Sequence, residues 1–188
     1  GQLWLDAGDY TKAESCFRYI LERDNSMKTW LSMGISQLRG GRTEEAEISL
    51  RNVLAQDPVY IDALLQLGIL YSSQGRFPEA VQVLETAVIH HPDRIEPKVN
   101  LAIARLEMKQ YDGVRALLED PAIDRETRPD IRMAVGQIRE RLRRETGAAS
   151  TGEPVSGGDE PGGSGAGDDA DPGRPGGTGG KHVIGEIP

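Results

Sequence analysis

A spacing of 34 residues recurs in the middle of this 188-residue chain, and it constrains the fold more than any other feature. The recurring residues have matching size and chemistry, and the pairs are Trp30 with Leu64, Gly34 with Gly68, Ala46 with Ala80, and Pro58 with Pro92. Self-similarity at a period of this length is typical of proteins whose repeats pack mainly against their neighbours. The sequence therefore predicts a stack of small units rather than one closed core.

The residues within one period fit two helices joined by a tight turn. Small Gly34 and Gly68 would let the second helix of a pair approach the first closely. Thr43 is placed to cap a second helix, and Pro58 is placed to end it. The turn itself should fall at glycines, namely Gly40, Gly41 and Gly75.

The second copy of the repeat, ALLQLGILYSSQGRFPEAVQVLETAVIHHP, adds four apolar positions: Leu67, Tyr71, Leu84 and Ala87. With them the copy resembles the tetratricopeptide-repeat (TPR) pattern nearly position for position. The resemblance implies an all-α fold, an α-solenoid of antiparallel helix pairs. It also implies a protein-binding module, because TPR proteins hold peptides or proteins on the concave surface lined by their first helices.

The units implied by the resemblance differ in completeness. In the first unit Ala13 and Phe17 keep their places, although the register is one residue short; in the last, Val114 replaces the usual alanine and Pro121 ends the unit early. The predicted units are a partial TPR at residues 1–26, TPRs at 27–60 and 61–94, a degenerate TPR at 95–121, a capping helix at 122–146 and a disordered acidic tail at 147–188.

The capping helix is predicted from an amphipathic pattern. One helical stripe is apolar and consists of Ile131, Val135, Ile138 and Leu142. Five arginines lie elsewhere around the helix: Arg132, Arg139, Arg141, Arg143 and Arg144. A solenoid needs a terminal helix of this kind to cover its core. The arginines are interpreted as a solvated face with favourable charge near the helix C-terminus, with a basic docking patch as the alternative.

The tail is set apart by its composition. From Gly147 onward it has 14 of the 23 glycines and 5 of the 11 prolines, with seven acidic residues against two basic ones. Such a segment has too few apolar residues to fold. Its last residues, KHVIGEIP, are either an inert end or a short apolar plug for the groove of this molecule or a neighbouring one. The Gly, Ala, Asp and Pro bias, with arginine favoured over lysine, suggests a bacterial source of high genomic GC content.

Charge and cysteine content narrow the classes of partner. The whole chain has a formal net charge of −8, and its folded part is mildly acidic, which argues against nucleic acid because phosphate binding needs a basic face. No apolar run reaches the roughly 18 residues of a membrane span. Cys16 is the single cysteine. The cytoplasm is the first expectation, whereas a periplasmic or membrane-anchored location would need a targeting segment before Gly1; the oligomeric state does not follow from the sequence.

Motifs for catalysis are absent from the sequence. It contains no GxSxG, phosphate loop or HExxH, and it has three histidines, of which His90 and His91 are adjacent and point to different sides of a helix. No cofactor, metal site or catalytic residue is therefore predicted. The leading hypothesis is a non-catalytic scaffold or adaptor. The alternative is the substrate-recruiting TPR portion of a larger enzyme whose catalytic domain lies outside this segment.

The groove residues follow from the TPR resemblance, one repeat at a time. The implied peptide-binding positions are Lys28, Leu31, Ile35 and Leu38 from the second unit, Asp62, Leu65, Gln66 and Ile69 from the third, and Glu96, Val99, Asn100 and Ile103 from the fourth. The apolar members would suit an amphipathic helix or an extended apolar peptide. The alternative for any one of them is packing between neighbouring first helices as core.

Some TPR proteins hold the acidic C-terminal peptides of chaperones through a clamp of lysine, asparagine and arginine in this groove. Here Leu31 and Ile35 stand at two of the clamp positions, and Glu96 and Asn100 at two later ones. Glu96 would repel a carboxylate. The sequence therefore predicts that the protein is not a receptor for chaperone tails.

Overall fold

The computed structural model describes residues 1–150, with side chains described as far as Gly147. In this part of the chain every regular element is a helix. The helices are α1 (Gln2–Asp6), α2 (Tyr10–Leu21), α3 (Met27–Arg39), α4 (Thr43–Gln56), α5 (Ile61–Ser73), α6 (Phe77–His90), α7 (Ile95–Glu107), α8 (Tyr111–Leu118), α9 (Pro121–Arg125) and α10 (Pro129–Ser150). The tail, including its KHVIGEIP end, lies outside the described residues from 151 onward.

Helices adjacent in sequence pack against each other along the whole stack. Hairpins form from α3 with α4, from α5 with α6 and from α7 with α8, and each second helix also packs on the first helix that follows it. Each layer thus buries its apolar side chains against the next one, as a solenoid requires. The predicted all-α solenoid of helix pairs is confirmed.

The 34-residue register extends further than the sequence comparison suggested. Helices α3, α5, α7 and α10 begin at Met27, Ile61, Ile95 and Pro129, each 34 residues after the one before. Helix α10 therefore stands where the first helix of a fifth repeat would stand, and it packs on α7 and α8. Its predicted apolar stripe is buried, with 1–9% exposure for Ile131, Val135, Ile138 and Leu142.

Three local predictions differ from the structure. Thr43 does not cap α4: Arg42 is the N-cap residue, Thr43 is already the first helical residue, and its hydroxyl donates to Glu44 over 3.2 Å. Pro121 begins the short helix α9 instead of closing a unit, because Asp120 caps that helix by accepting from the Ala122 N–H over 2.8 Å. The range 122–146 accordingly holds most of α9 as well as α10.

Glycine on the first helix sets how closely the two helices of a repeat approach. A Cβ added to Gly68 would lie 2.5 Å from Cγ of Leu84 on α6, and one added to Gly34 would lie 3.0 Å from Cγ of Leu50 on α4. Both leucines are fully buried. No side chain fits between the helices at Gly68 unless Leu84 moves, which confirms the predicted role of these glycines.

Replacing Gly68 with alanine should therefore destabilise the protein. Overpacking against Leu84 is expected to lower the free energy of unfolding by about 1–3 kcal/mol, measured by urea denaturation followed by circular dichroism. Gly136→Ala is the matched control, because nothing lies within 4 Å of its Cβ position on α10. The control should gain about 0.5–1 kcal/mol from helix propensity. A gain in both variants would show that the Gly68–Leu84 contact does not limit the packing.

The turn inside each repeat uses a left-handed residue at equivalent places. Gly8, Gly41 and Gly75 have φ of 77°, 76° and 73°, and Lys109 takes the same conformation with φ of 57°. Lys109 lies 34 residues after Gly75. A left-handed backbone crowds the Cβ of any residue other than glycine. The fourth unit is therefore degenerate in its turn as well as in its length.

Lys109→Gly should stabilise the protein by about 0.5–1 kcal/mol, since relief of the left-handed strain exceeds the added chain entropy of glycine. The converse substitution, Gly75→Ala, should destabilise it by about 1 kcal/mol. Both values come from the same denaturation experiment. Equal melting of Lys109→Gly and the wild type would mean that the exposed lysine side chain compensates for its backbone.

Candidate functional site

The inner side of the solenoid is formed by the first helices. Helix α3 contacts α5, and α5 contacts α7 directly, whereas the second helices are joined mainly through the first helix that lies between them. Closer packing on one side bends such a stack toward that side. The first helices therefore line the concave surface, and the twelve groove positions predicted from the sequence lie on α3, α5 and α7.

The apolar candidates fall into two rows with different accessibility. In one row, burial increases along the solenoid: Leu31 is half-buried, Leu65 is 8% exposed and Val99 is 0% exposed. The other row has one isoleucine from each first helix, all three half-buried: Ile35, Ile69 and Ile103. These three residues, called the isoleucine row below, are the apolar candidates that keep accessible surface in every repeat.

Packing explains why the first row closes. Val99 belongs to the apolar cluster that contains Ile131, Val135 and Ile138 of α10, so the terminal helix covers it. Leu65 is part of the central cluster, and Leu31 and Leu38 pack against that cluster from its edge. Val99 and Leu65 are thus core residues in this conformation, which is the alternative that the sequence left open.

The isoleucine row is packed less tightly than its neighbours. Ile35 lies against the N-terminal cluster and Ile103 against the cluster at α10. Ile69, in the middle, contributes to none of the three apolar clusters of the described residues. Of the predicted groove residues, Ile69 is the apolar side chain with the smallest structural role.

The polar candidates frame this row. Lys28 and Asp62 are exposed at the beginnings of α3 and α5, and neither has an ion-pair partner among the residues that the structure describes. Gln66 and Asn100 are half-buried. The Asn100 side-chain amide donates to the Glu96 backbone carbonyl over 3.0 Å, which leaves its side-chain oxygen as an acceptor.

Glu96 is held in an ion-pair network instead of facing the groove with a bare charge. Its carboxylate lies 2.5 Å from Arg128 and 3.3 Å from Arg94, and Arg128 also contacts Glu126 over 2.7 Å. Burial raises the pKa of Glu96, but hydrogen bonds from Arg128, the backbone and Arg94 lower it more, to about 2. The network joins α7 to the segment between α9 and α10.

This network changes the argument about chaperone tails. Glu96 is neutralised by two arginines, so its repulsion of a carboxylate is weaker than its sequence position suggests. The absence of the clamp rests instead on Leu31 and Ile35, which provide no donor at their positions. That the protein does not bind chaperone tails stays a prediction.

The sequence reasoning missed the residues that close this end of the groove. Arg128 holds Glu96, and Arg141 of α10 contacts both carboxylate oxygens of Glu107 on α7 and lies 2.6 Å from Glu145. Four of the five arginines assigned to a solvated face are in ion pairs: Arg139, Arg141, Arg143 and Arg144. The 34-residue step from Ile95 to Pro129 was the signal that α10 lies beside α7.

Side chains suited to chemistry are few in the described part of the chain. No group of three His, Cys, Asp or Glu residues there is arranged to hold a metal ion. Cys16 is a half-buried free thiol, and the His91 ring hydrogen bonds to the Val59 carbonyl over 2.7 Å. None of the helices described between residues 1 and 150 combines the length and the apolar character needed to cross a membrane.

Stacked helix pairs with an inner face of first helices define an α-solenoid repeat protein. One tetratricopeptide-repeat profile matches residues 37–97 and 73–138, and a second matches residues 1–61. The chain belongs to the tetratricopeptide-repeat family. Proteins of this family are generally protein–protein interaction modules.

Several solved structures share the fold. The Sgt2 TPR domain from Aspergillus fumigatus has a TM-score of 0.61 at 20% identity, covering 71% of this chain and 88% of that one. A tetratricopeptide repeat protein from Parabacteroides merdae has 0.69 at 18%, covering 78% of this chain and 57% of that one. MamA protein has 0.55 at 20%, covering 84% and 75%. At these identities the similarity shows the fold alone. Comparison with curated protein sequences gives no match.

Glu96→Gln should lower stability in a pH-dependent way. The folded-state pKa of Glu96 is about 2, below its ordinary value of 4.5, so its contribution is complete above pH 4.5 and is lost as the pH falls toward 2. The variant should lose about 1–2 kcal/mol at pH 7, measured by urea denaturation, and should match the wild type near pH 2.

The control for this experiment is Glu119→Gln in the same unit. Glu119 is exposed and forms no ion pair among the described residues, so its replacement should have little effect at any pH. A loss in Glu96→Gln that stays constant between pH 7 and pH 2 would contradict the ion-pair explanation.

Proposed function

We propose that this protein is a non-catalytic adaptor that holds a peptide or helix of a partner protein in its concave groove. The observation that carries the proposal is the isoleucine row, Ile35, Ile69 and Ile103, which is half-exposed on three consecutive first helices. A folded chain gains nothing in stability from leaving apolar surface accessible. A partner that covered this row would bury it.

A preformed groove also favours binding without chemistry. The first helices are held by the glycine–leucine contacts and the apolar clusters, so the scaffold orders little on binding and retains most of the interaction energy. The described part of the chain supplies few nucleophiles and no metal cluster for turnover. The function proposed here is therefore recognition, with a protein as the partner and nucleic acid excluded by the acidic charge.

The alternative of a recruiting portion within a larger enzyme makes the same demand on the groove. It differs in what is attached to the repeats, not in how the repeats bind. In either case the groove residues proposed for contact are the accessible ones: Lys28, Leu31, Ile35, Leu38, Asp62, Gln66, Ile69, Asn100 and Ile103.

Ile69→Arg tests the groove with little risk to the fold, because Ile69 lies outside the three apolar clusters. A charged side chain in the middle of the groove should abolish capture of the partner from a native lysate, measured by quantitative mass spectrometry of co-purified proteins. The thermal midpoint by circular dichroism should change by less than a few degrees.

The matched control is Ile48→Arg, the same chemical change on the second helix α4, where Ile48 is 63% exposed. This variant should retain every partner. Loss of the same proteins from both variants would assign the effect to charge alone. Full retention by Ile69→Arg would place binding on another surface and refute the groove as the site.

A further inference from the structure

We infer that the groove accepts an amphipathic helix that runs along the solenoid, with apolar residues seven positions apart and acidic residues at the end that lies over α3. This inference rests on the proposed function and decides between the two partner conformations that the sequence left open. It is carried by two observations: the spacing of the isoleucine row, and the charges that the fold leaves unpaired around it.

The spacing favours a helix over an extended peptide. Neighbouring packed helices lie about 8–10 Å apart, so the isoleucine row offers one contact at roughly that interval. A ligand helix advances about 10.5 Å in seven residues and returns to nearly the same face, so residues i, i+7 and i+14 meet Ile35, Ile69 and Ile103 in turn. An extended chain covers the distance in about three residues, which point to alternating faces.

The charges give the ligand helix a direction. Lys28 and Arg39 lie toward opposite ends of α3, both are exposed, and neither has an ion-pair partner among the described residues. On α7 the acidic side chains are already paired, Glu96 with Arg128 and Glu107 with Arg141. The groove is therefore positive over α3 and neutralised over α7. Complementary acidic residues on a partner would favour one orientation.

Asp62 completes this pattern. It is exposed at the beginning of α5, between the positive and the neutralised ends. A ligand helix with acidic residues over α3 would present a neutral or basic residue beside Asp62. The C-terminal segment KHVIGEIP does not fit these requirements, because its apolar residues, Val183, Ile184 and Ile187, span less than one heptad and Pro188 follows them.

The test is a display selection on the full chain with a library of 21-residue peptides, long enough as helices to cover about 30 Å. Binders are selected on the wild type and depleted on Ile69→Arg. The expected sequences have apolar residues seven apart and acidic residues near one end. Synthetic versions should gain helicity on binding, measured by circular dichroism.

The affinities of these peptides are then measured by fluorescence anisotropy. Lys28→Glu combined with Arg39→Glu should weaken binding about fivefold, because two rim charges are reversed, and should leave the melting temperature unchanged. Replacing the acidic residues of the peptide by lysine should restore the affinity for this double variant. An unchanged affinity in the double variant would overturn the assigned direction.

Other outcomes refute the helix and leave the adaptor function distinguishable. Selected peptides with alternating apolar residues would assign the groove to an extended chain. Binding of a synthetic peptide of residues 181–188 that Ile69→Arg abolishes would make the tail the occupant. If no peptide depends on Ile69 while native partners are lost from Ile69→Arg, the inference fails and the adaptor stands; if native partners are also retained, both fail.

Discussion

The contact between a glycine on the first helix and a leucine on the second is the constraint on which the solenoid depends. Gly34 meets Leu50, and Gly68 meets Leu84, with no room for another carbon atom at Gly68. In the next unit Ala102 and Leu118 occupy the equivalent places within one apolar cluster. Because this contact fixes the distance between the helices of every pair, successive first helices keep the 34-residue register, and that register brings the three isoleucines into one row.

The fold was predictable because its main determinants recur in the sequence. Gly34, Gly68, Gly41 and Gly75 identify the close approach and the turn, and the structure confirms both roles. Prediction failed where the period weakens. Lys109 makes the turn of the fourth unit although it is not a glycine, because the packing of α7 and α8 around it tolerates the strain of about 1 kcal/mol.

The site was predictable in position but not in accessibility. Leu31, Leu65 and Val99 are equivalent in the repeat, yet their exposure falls to zero at Val99. The burial of a first-helix residue depends on the helix that stacks beside it, and for Val99 that neighbour is α10, which departs from the repeat pattern. A periodic sequence pattern gives each residue its place within the unit, but it does not describe the neighbouring unit.

The terminal helix also determines which charges the groove presents. Helix α10 keeps the apolar face of a first helix toward α7, while its other side is open: Gly136 has no atom within 4 Å of its Cβ position, and Met133 is 63% exposed. The same helix and the segment before it supply Arg141 and Arg128, which neutralise Glu107 and Glu96. Without these two arginines the groove would run from positive over α3 to negative over α7. With them, the uncompensated cations over α3 dominate, and charge selects a partner mainly at that end.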